Sequence, residues 1–157
     1  MDKILIASDH AGYALKEKLK LYLEKKGFKV NDLGTDSEES CDYPLFAADL
    51  AALVSNKKFK RGILICKTGI GNSIVANRFQ GVRASLCYNV EAAKLTREHN
   101  DSNVLVLGSA WTGEPLAKKI LDVWLNTKFA GGRHKRRLNQ IKNIEREINK
   151  NEAFKGS

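Results

Sequence analysis

The sequence predicts an α/β protein built on a doubly wound, mainly parallel, five-stranded Rossmann-like sheet. Three observations lead there. Short runs rich in Ile, Val and Leu recur along the chain, segments with helical spacing separate them, and no internal repeat or long linker breaks the alternation. Strands covered on both faces by helices read as such continuous apolar runs.

The predicted strands are Lys3–Ser8, Phe28–Asn31, Arg61–Cys66, Val82–Cys87 and Asn103–Leu107. Between the first two, Leu15, Leu19, Tyr22 and Leu23 fall at helical spacing, and Gly27 closes that helix. Pro44, suited to a first turn, opens the next helix, which runs through Leu53. A glycine-containing loop after the third strand starts another. A fourth begins near Val90 and ends at His99-Asn100, and Leu116, Ile120, Val123 and Trp124 mark a fifth. After Gly131-Gly132 a last helix carries Leu138, Ile141, Ile144 and Ile148 on one face. That stripe has to pack on its own domain or on a second subunit.

Residues 1–150 are expected to form a single domain, with 151–157 as a flexible tail. No apolar run approaches the roughly 20 residues that span a bilayer, and Ile4 to Ala7 is too short for the core of a signal peptide. Three widely spaced cysteines (Cys41, Cys66, Cys87) fit neither a disulfide framework nor a zinc ribbon, and no other spacing resembles a metal site. These features predict a soluble, cytoplasmic, reduced protein without a membrane partner. The net charge is +9, but five of those charges lie between Gly131 and Ser157. A basic tail on a near-neutral body reads as a local anion site or a solvated end, so nucleic acid is not an expected partner.

In a doubly wound sheet, ligands bind beyond the C-terminal ends of the strands. The richest segment there is Cys66-Lys67-Thr68-Gly69-Ile70-Gly71-Asn72-Ser73. An apolar strand delivers a cysteine to its end, and the loop opens a helix whose first amides form an anion site. The loop lacks the Gly-Lys-Ser/Thr of a phosphate-binding nucleotide loop, and Ile74 stands where a dinucleotide fingerprint needs its third glycine. What remains is an anion hole beside a thiol, or else a plain buried strand cysteine. Asp9 and His10 end the first strand, with Asp9 also suited to capping a helix. His99 stands at a helix C-terminus, where the dipole alone would stabilise it. Arg133 and Arg137, four residues apart, put two guanidiniums on one face for a single phosphate.

Taken in order, Ser8-Asp9-His10-Ala11-Gly12, Asp42-Tyr43-Pro44, Cys66-x-Thr68-Gly69-Ile70-Gly71-x-Ser73, Ala76-Asn77, His99-Asn100-Asp101 and Gly131-Gly132-Arg133-His134-x-x-Arg137 resemble the ribose-5-phosphate isomerase type B family, which includes the galactose-6-phosphate isomerase subunits. The resemblance spans roughly residues 1–150. It implies a cofactor-free enzyme, built as homodimers that pair into tetramers, with active sites between subunits and the last helix used in subunit contact. By the same resemblance Cys66 is the base that moves a proton between C2 and C1 of an open-chain aldose phosphate. Asp9 and the neighbouring subunit's His99 assist ring opening, and Thr68 handles hydroxyl protons. The amides of Gly69, Gly71, Asn72 and Ser73 stabilise the enediolate, His10, Arg133 and Arg137 hold the phosphate, and Tyr43 and Asn100 line the sugar. This agrees with the chemistry, since abstracting a proton beside a carbonyl needs a base and preorganised donors for the oxyanion.

Two positions depart from the family pattern. Lys67 stands where glycine is usual, and Ala110 where an arginine is expected. An ammonium next to Cys66, added to the helix dipole, predicts a lowered thiol pKa. The expected activity is the interconversion of ribose 5-phosphate and ribulose 5-phosphate. The alternatives are a six-carbon sugar-phosphate isomerase of the same family, or a non-catalytic sugar-phosphate-binding protein.

Overall fold

Strand β1 (Lys3–Ser8) is buried at every residue after Lys3, and its side chains alternate between two apolar layers. The computed structural model describes residues 1–150, so the tail expected at 151–157 lies outside the described residues. After β1 come α1 (Tyr13–Lys25), β2 (Lys29–Asp32), α2 (Tyr43–Ser55), β3 (Gly62–Cys66), α3 (Ile70–Ala76), β4 (Ala84–Leu86), α4 (Val90–Asn100), β5 (Val104–Gly108), α5 (Glu114–Asn126) and α6 (Arg133–Lys150). The strands form one five-stranded sheet in the order β2-β1-β3-β5-β4, and every pairing is parallel.

The period of two along the strands explains the double winding. Ile4, Ile6, Ile63, Ile65, Leu105 and Leu107 face α1, α4 and α5, where they meet Leu19, Ala93, Ile120 and Trp124. Leu5, Ala7, Leu64, Val104 and Val106 face the other way, onto Ala47, Leu50, Ala51 and Val54 of α2 and Ala76 of α3. Each large apolar side chain taken out of water in this way contributes about 1.5–3 kcal/mol.

Three details differ from the pattern read off the chain. The edge strand β4 is three residues long rather than six, because only β5 pairs with it. The side chain of Asn77 takes up its open edge, accepting the Ala84 N–H at 2.8 Å and donating to the Ala84 carbonyl at 2.9 Å. On α1, Lys16 joins the apolar face and is fully buried, its Nζ meeting Asp32 at 2.5 Å and Glu17 at 2.7 Å. Burial alone would raise the Asp32 carboxyl, but the bonds from Lys16, Lys20 and the Gly34 amide hold it below its ordinary value. Finally, α6 buries none of its residues, and Ile141, Ile144 and Ile148 are 46%, 58% and 56% exposed. One contact fixing its course is the Gly81 N–H donating to Glu145 Oε1 at 3.1 Å.

Candidate active site

The strand order reverses direction between β1 and β3: from β1 the chain moves to β2 on one side, and from β3 it moves to the other side, first to the edge strand β4 and then back to β5. A crevice therefore opens beyond the C-terminal ends of β1 and β3. The registers Ser8↔Ile65 and Cys66↔Gly108 bring three loops to that edge, those starting at Asp9, Lys67 and Ser109. They are tied together. Ser109 N–H donates to the Cys66 carbonyl at 2.9 Å, Ala110 N–H to the Lys67 carbonyl at 2.9 Å, and the Ser109 hydroxyl to the Ala11 carbonyl at 2.9 Å. Gly12 and Gly108 permit this approach, since a Cβ would come within 2.6 Å of the Ile65 carbonyl oxygen or 2.5 Å of that of Thr68.

Cys66 is 4% exposed, and the Gly69 N–H donates to its Sγ at 3.2 Å. Gly69 is left-handed (φ +81°) at the start of α3, the conformation that turns its amide back onto the sulfur. Burial pushes the Cys66 thiol up, and the nearby Asp9 carboxylate pushes the same way. The amides of Asn72, Gly69 and Thr68 pull it down without overcoming burial. This corrects the expected lowered thiol pKa: α3 has only seven residues, and its few amides offset only part of the desolvation.

The other groups of this edge have defined partners. Asp9, 6% exposed, accepts the Gly12 N–H on Oδ1 at 3.1 Å, so the carboxylate braces the entry to α1 while lying near the thiol. His10 Nδ1 lies 3.1 Å from the Cys41 nitrogen and 3.2 Å from its carbonyl oxygen. In the neutral tautomer that accepts the Cys41 N–H on Nδ1, the proton sits on Nε2, which then serves as a donor. In the sequence Cys41 is just one of three widely spaced cysteines. Its backbone holds His10 from 31 residues away, a pairing that no local pattern announces. Thr68 Oγ1 accepts the Ile70 N–H at 3.2 Å, and Ser73 Oγ donates to the Ile70 carbonyl at 2.8 Å. Tyr43, at the start of α2, covers Gly71 so closely that a Cβ there would lie 2.4 Å from its ring. Asn72 is 1% exposed, with both side-chain polar atoms unpartnered among the described residues. Tyr88, which the sequence did not single out, donates from its hydroxyl to the Thr68 carbonyl at 2.7 Å.

His99, Asn100, Arg133 and Arg137 are elsewhere. Helices of a parallel sheet run back against the strands, so α4 ends at the opposite edge. There the Arg83 guanidinium, just before β4, donates to the Asn100 carbonyl at 2.9 Å. The His99 and His134 rings stack at 4.2 Å, which puts the first turn of α6, with Arg133, beside the end of α4. Desolvation in this stack lowers the His134 pKa, and the neighbouring His99, Arg133 and Arg137 lower it further. The five residues of β5 separate the two edges by about 16 Å, at roughly 3.3 Å per residue. No imidazole spans that distance, so one chain does not bring His99 to Cys66.

A family model described as Ribose/Galactose Isomerase matches residues 4–141. The chain belongs to that family. It is 45% identical over 149 residues to ribose-5-phosphate isomerase B of Escherichia coli (strain K12), covering 95% of this chain and all of the relative. A structure of ribose-5-phosphate isomerase B from Clostridium thermocellum superposes with a TM-score of 0.91 at 46% identity, covering 93% of this chain and 99% of that one. Ribose-5-phosphate isomerase B from Mycoplasma genitalium, solved with bound ribulose-5-phosphate, superposes with a TM-score of 0.88 at 41% identity, covering 92% of this chain and 97% of that one. Among the described residues, no group of three or more His, Cys, Asp and Glu side chains is placed to hold a metal ion, and no helix is long and apolar enough to cross a membrane.

Proposed function

We propose that this chain is an aldose–ketose isomerase that interconverts ribose 5-phosphate and ribulose 5-phosphate through an enediolate, with Cys66 as the base. The observation that carries the reading is the Cys66 thiol, set at the switch point of the sheet, enclosed by loop amides and close to the Asp9 carboxylate. As a thiolate, Cys66 takes the proton from C2 of the open-chain aldose, and the resulting thiol returns it at C1. Negative charge builds on the substrate oxygens between those steps, and the N–H groups opening α3 are positioned to meet it. Thr68 passes the hydroxyl proton between the two oxygens, and Asp9 helps open the sugar ring.

His99, Asn100, Arg133 and Arg137 complete this site from a second copy of the chain. Their place at the far edge of the sheet supports a homodimer in which each sugar phosphate lies between two copies. The uncovered isoleucines of α6 suit such a contact. The working unit is the single domain of residues 1–150, acting in the cytoplasm.

The test is a coupled assay on ribose 5-phosphate, on six-carbon sugar phosphates and on free ribose, run in deuterated water. Ribulose 5-phosphate carrying solvent deuterium at C1 is the expected product. Binding without turnover would make the chain a sugar-phosphate binder, and preferred turnover of a six-carbon phosphate would change the substrate.

A further inference from the structure

We propose that Lys67 is the side chain that fixes the substrate's phosphate within the same chain that supplies Cys66, across the sheet edge from the thiol. The inference rests on the sugar-phosphate reading of the site, in which His10 already meets the phosphate, and adds to it a residue that decides how tightly the anion is held.

The alternation along β3 sets the geometry. Ile63 and Ile65 face α1 and α5 while Leu64 faces α2, so Cys66 continues on the α2–α3 side and Lys67 emerges toward α1 and α5. A cavity of about 590 Å³ opens on that side, lined by Lys67 together with His10, Ser109, Ala110 and Thr112. Its size is that of small-molecule sites, roughly 300–1,000 Å³. The ammonium is thus turned away from the thiol. This accounts for a thiol governed by burial, where proximity in sequence alone predicted electrostatic activation.

Lys18 and Glu114 also line the cavity, and among the described residues Lys67 is its lysine that no carboxylate holds. Lys18 pairs with Glu114 at 3.1 Å, and the same carboxylate holds Lys118 at 2.7 Å. Lys67 is exposed and has no acidic side chain within 4.0 Å among the described residues. Its backbone is nonetheless fixed, because the carbonyls of Cys66 and Lys67 accept the Ser109 and Ala110 amides. His10, whose Nδ1 accepts the Cys41 N–H and so leaves the ring proton on Nε2 in that tautomer, lines the same space, as does the first turn of α1 at Ala14. An ammonium, an imidazole N–H and the positive end of a helix around one cavity form a site for a doubly charged anion. The small Ala110 side chain leaves room for the lysine stem, and the buried Thr112 hydroxyl has no partner among the described residues. A sugar whose C1 and C2 lie at Cys66 reaches over the end of β3 to place its phosphate there.

The experiment compares wild type, Lys67→Met and Lys67→Arg at constant ionic strength. It measures KM and kcat for ribose 5-phosphate and, separately, the calorimetric dissociation constant for inorganic phosphate. Loss of one charged contact should weaken phosphate binding and raise KM by about ten- to a hundredfold in the methionine variant, with a much smaller change in kcat and recovery in the arginine variant. Unchanged phosphate affinity and KM in Lys67→Met would overturn the assignment, as would a kcat loss at constant KM or a wild type that binds no phosphate. If wild type bound phosphate but did not isomerise ribose 5-phosphate, the isomerase reading would fail, and the calorimetry would still decide Lys67.

Discussion

A heterodimer carrying Cys66→Ala in one copy and His99→Ala in the other should regain activity that neither single variant shows. The two side chains lie at opposite edges of the sheet, separated along β5 by about 16 Å, so the proposed site takes Cys66 from one copy and His99 from the other. In a two-fold symmetric dimer, each of the two sites uses both copies. The mixed dimer then holds one site with both defects and one with neither. Its expected activity is about half that of a wild-type dimer, whereas each single-variant homodimer has no intact site. Co-expression with two different affinity tags and sequential purification isolates the mixed species, and native mass spectrometry verifies its composition. The assay is deuterium-traced turnover of ribose 5-phosphate. A mixed dimer no more active than the two homodimers would refute the shared site and return His99 to a structural role in its stack with His134.

The Cys66→Ala variant should lose both turnover and solvent exchange at the substrate's C2, and exchange at the wild-type rate would assign the base elsewhere. Because burial holds the thiol above its ordinary pKa, the reactive thiolate is scarce at neutral pH, and kcat/KM should climb by roughly tenfold per pH unit toward alkaline pH. A flat profile between pH 7 and 9 would contradict a thiolate base. Cys87, 1% exposed, is pushed up to about 11 by burial. A raised folded pKa gives stability that is full below the unfolded value and lost as pH rises through the folded one. Relative to Cys87→Ala, wild type should therefore lose about 3 kcal/mol of stability between pH 8 and pH 12, read by guanidinium unfolding. Gly12→Ala should cost about 1–3 kcal/mol, because the new Cβ meets the backbone of Ile65 at 2.6 Å, which cannot give way. In Gly71→Ala the nearest atoms belong to the partly exposed Tyr43 side chain, which can swing aside, so its effect should fall on KM and spare the unfolding midpoint.

What the chain determines by itself is local and periodic. Apolar runs with period two and helices with apolar spacing are properties of consecutive residues, so the alternation of elements and the delivery of Asp9, His10 and Cys66 to strand ends are legible without coordinates. The glycine loop after β3 is legible for the same reason, since a left-handed residue opening a helix is a requirement of a single peptide. Other properties exist only once distant segments meet. The thiol pKa turned out raised rather than lowered because desolvation depends on everything packed around the sulfur, while the helix dipole was all that the sequence displayed. The hold of Cys41 on His10 and that of Tyr88 on Thr68 each join residues 20 or 31 positions apart. Lys67 stands beside Cys66 in sequence, but the strand pleat sends the two side chains to opposite faces of the sheet. His99 carries no mark of its distance from Cys66, which follows from α4 running antiparallel to β3 in the folded sheet. Contact order, pleat direction and solvent exclusion are properties of the assembled layers, and the tertiary structure alone decided them.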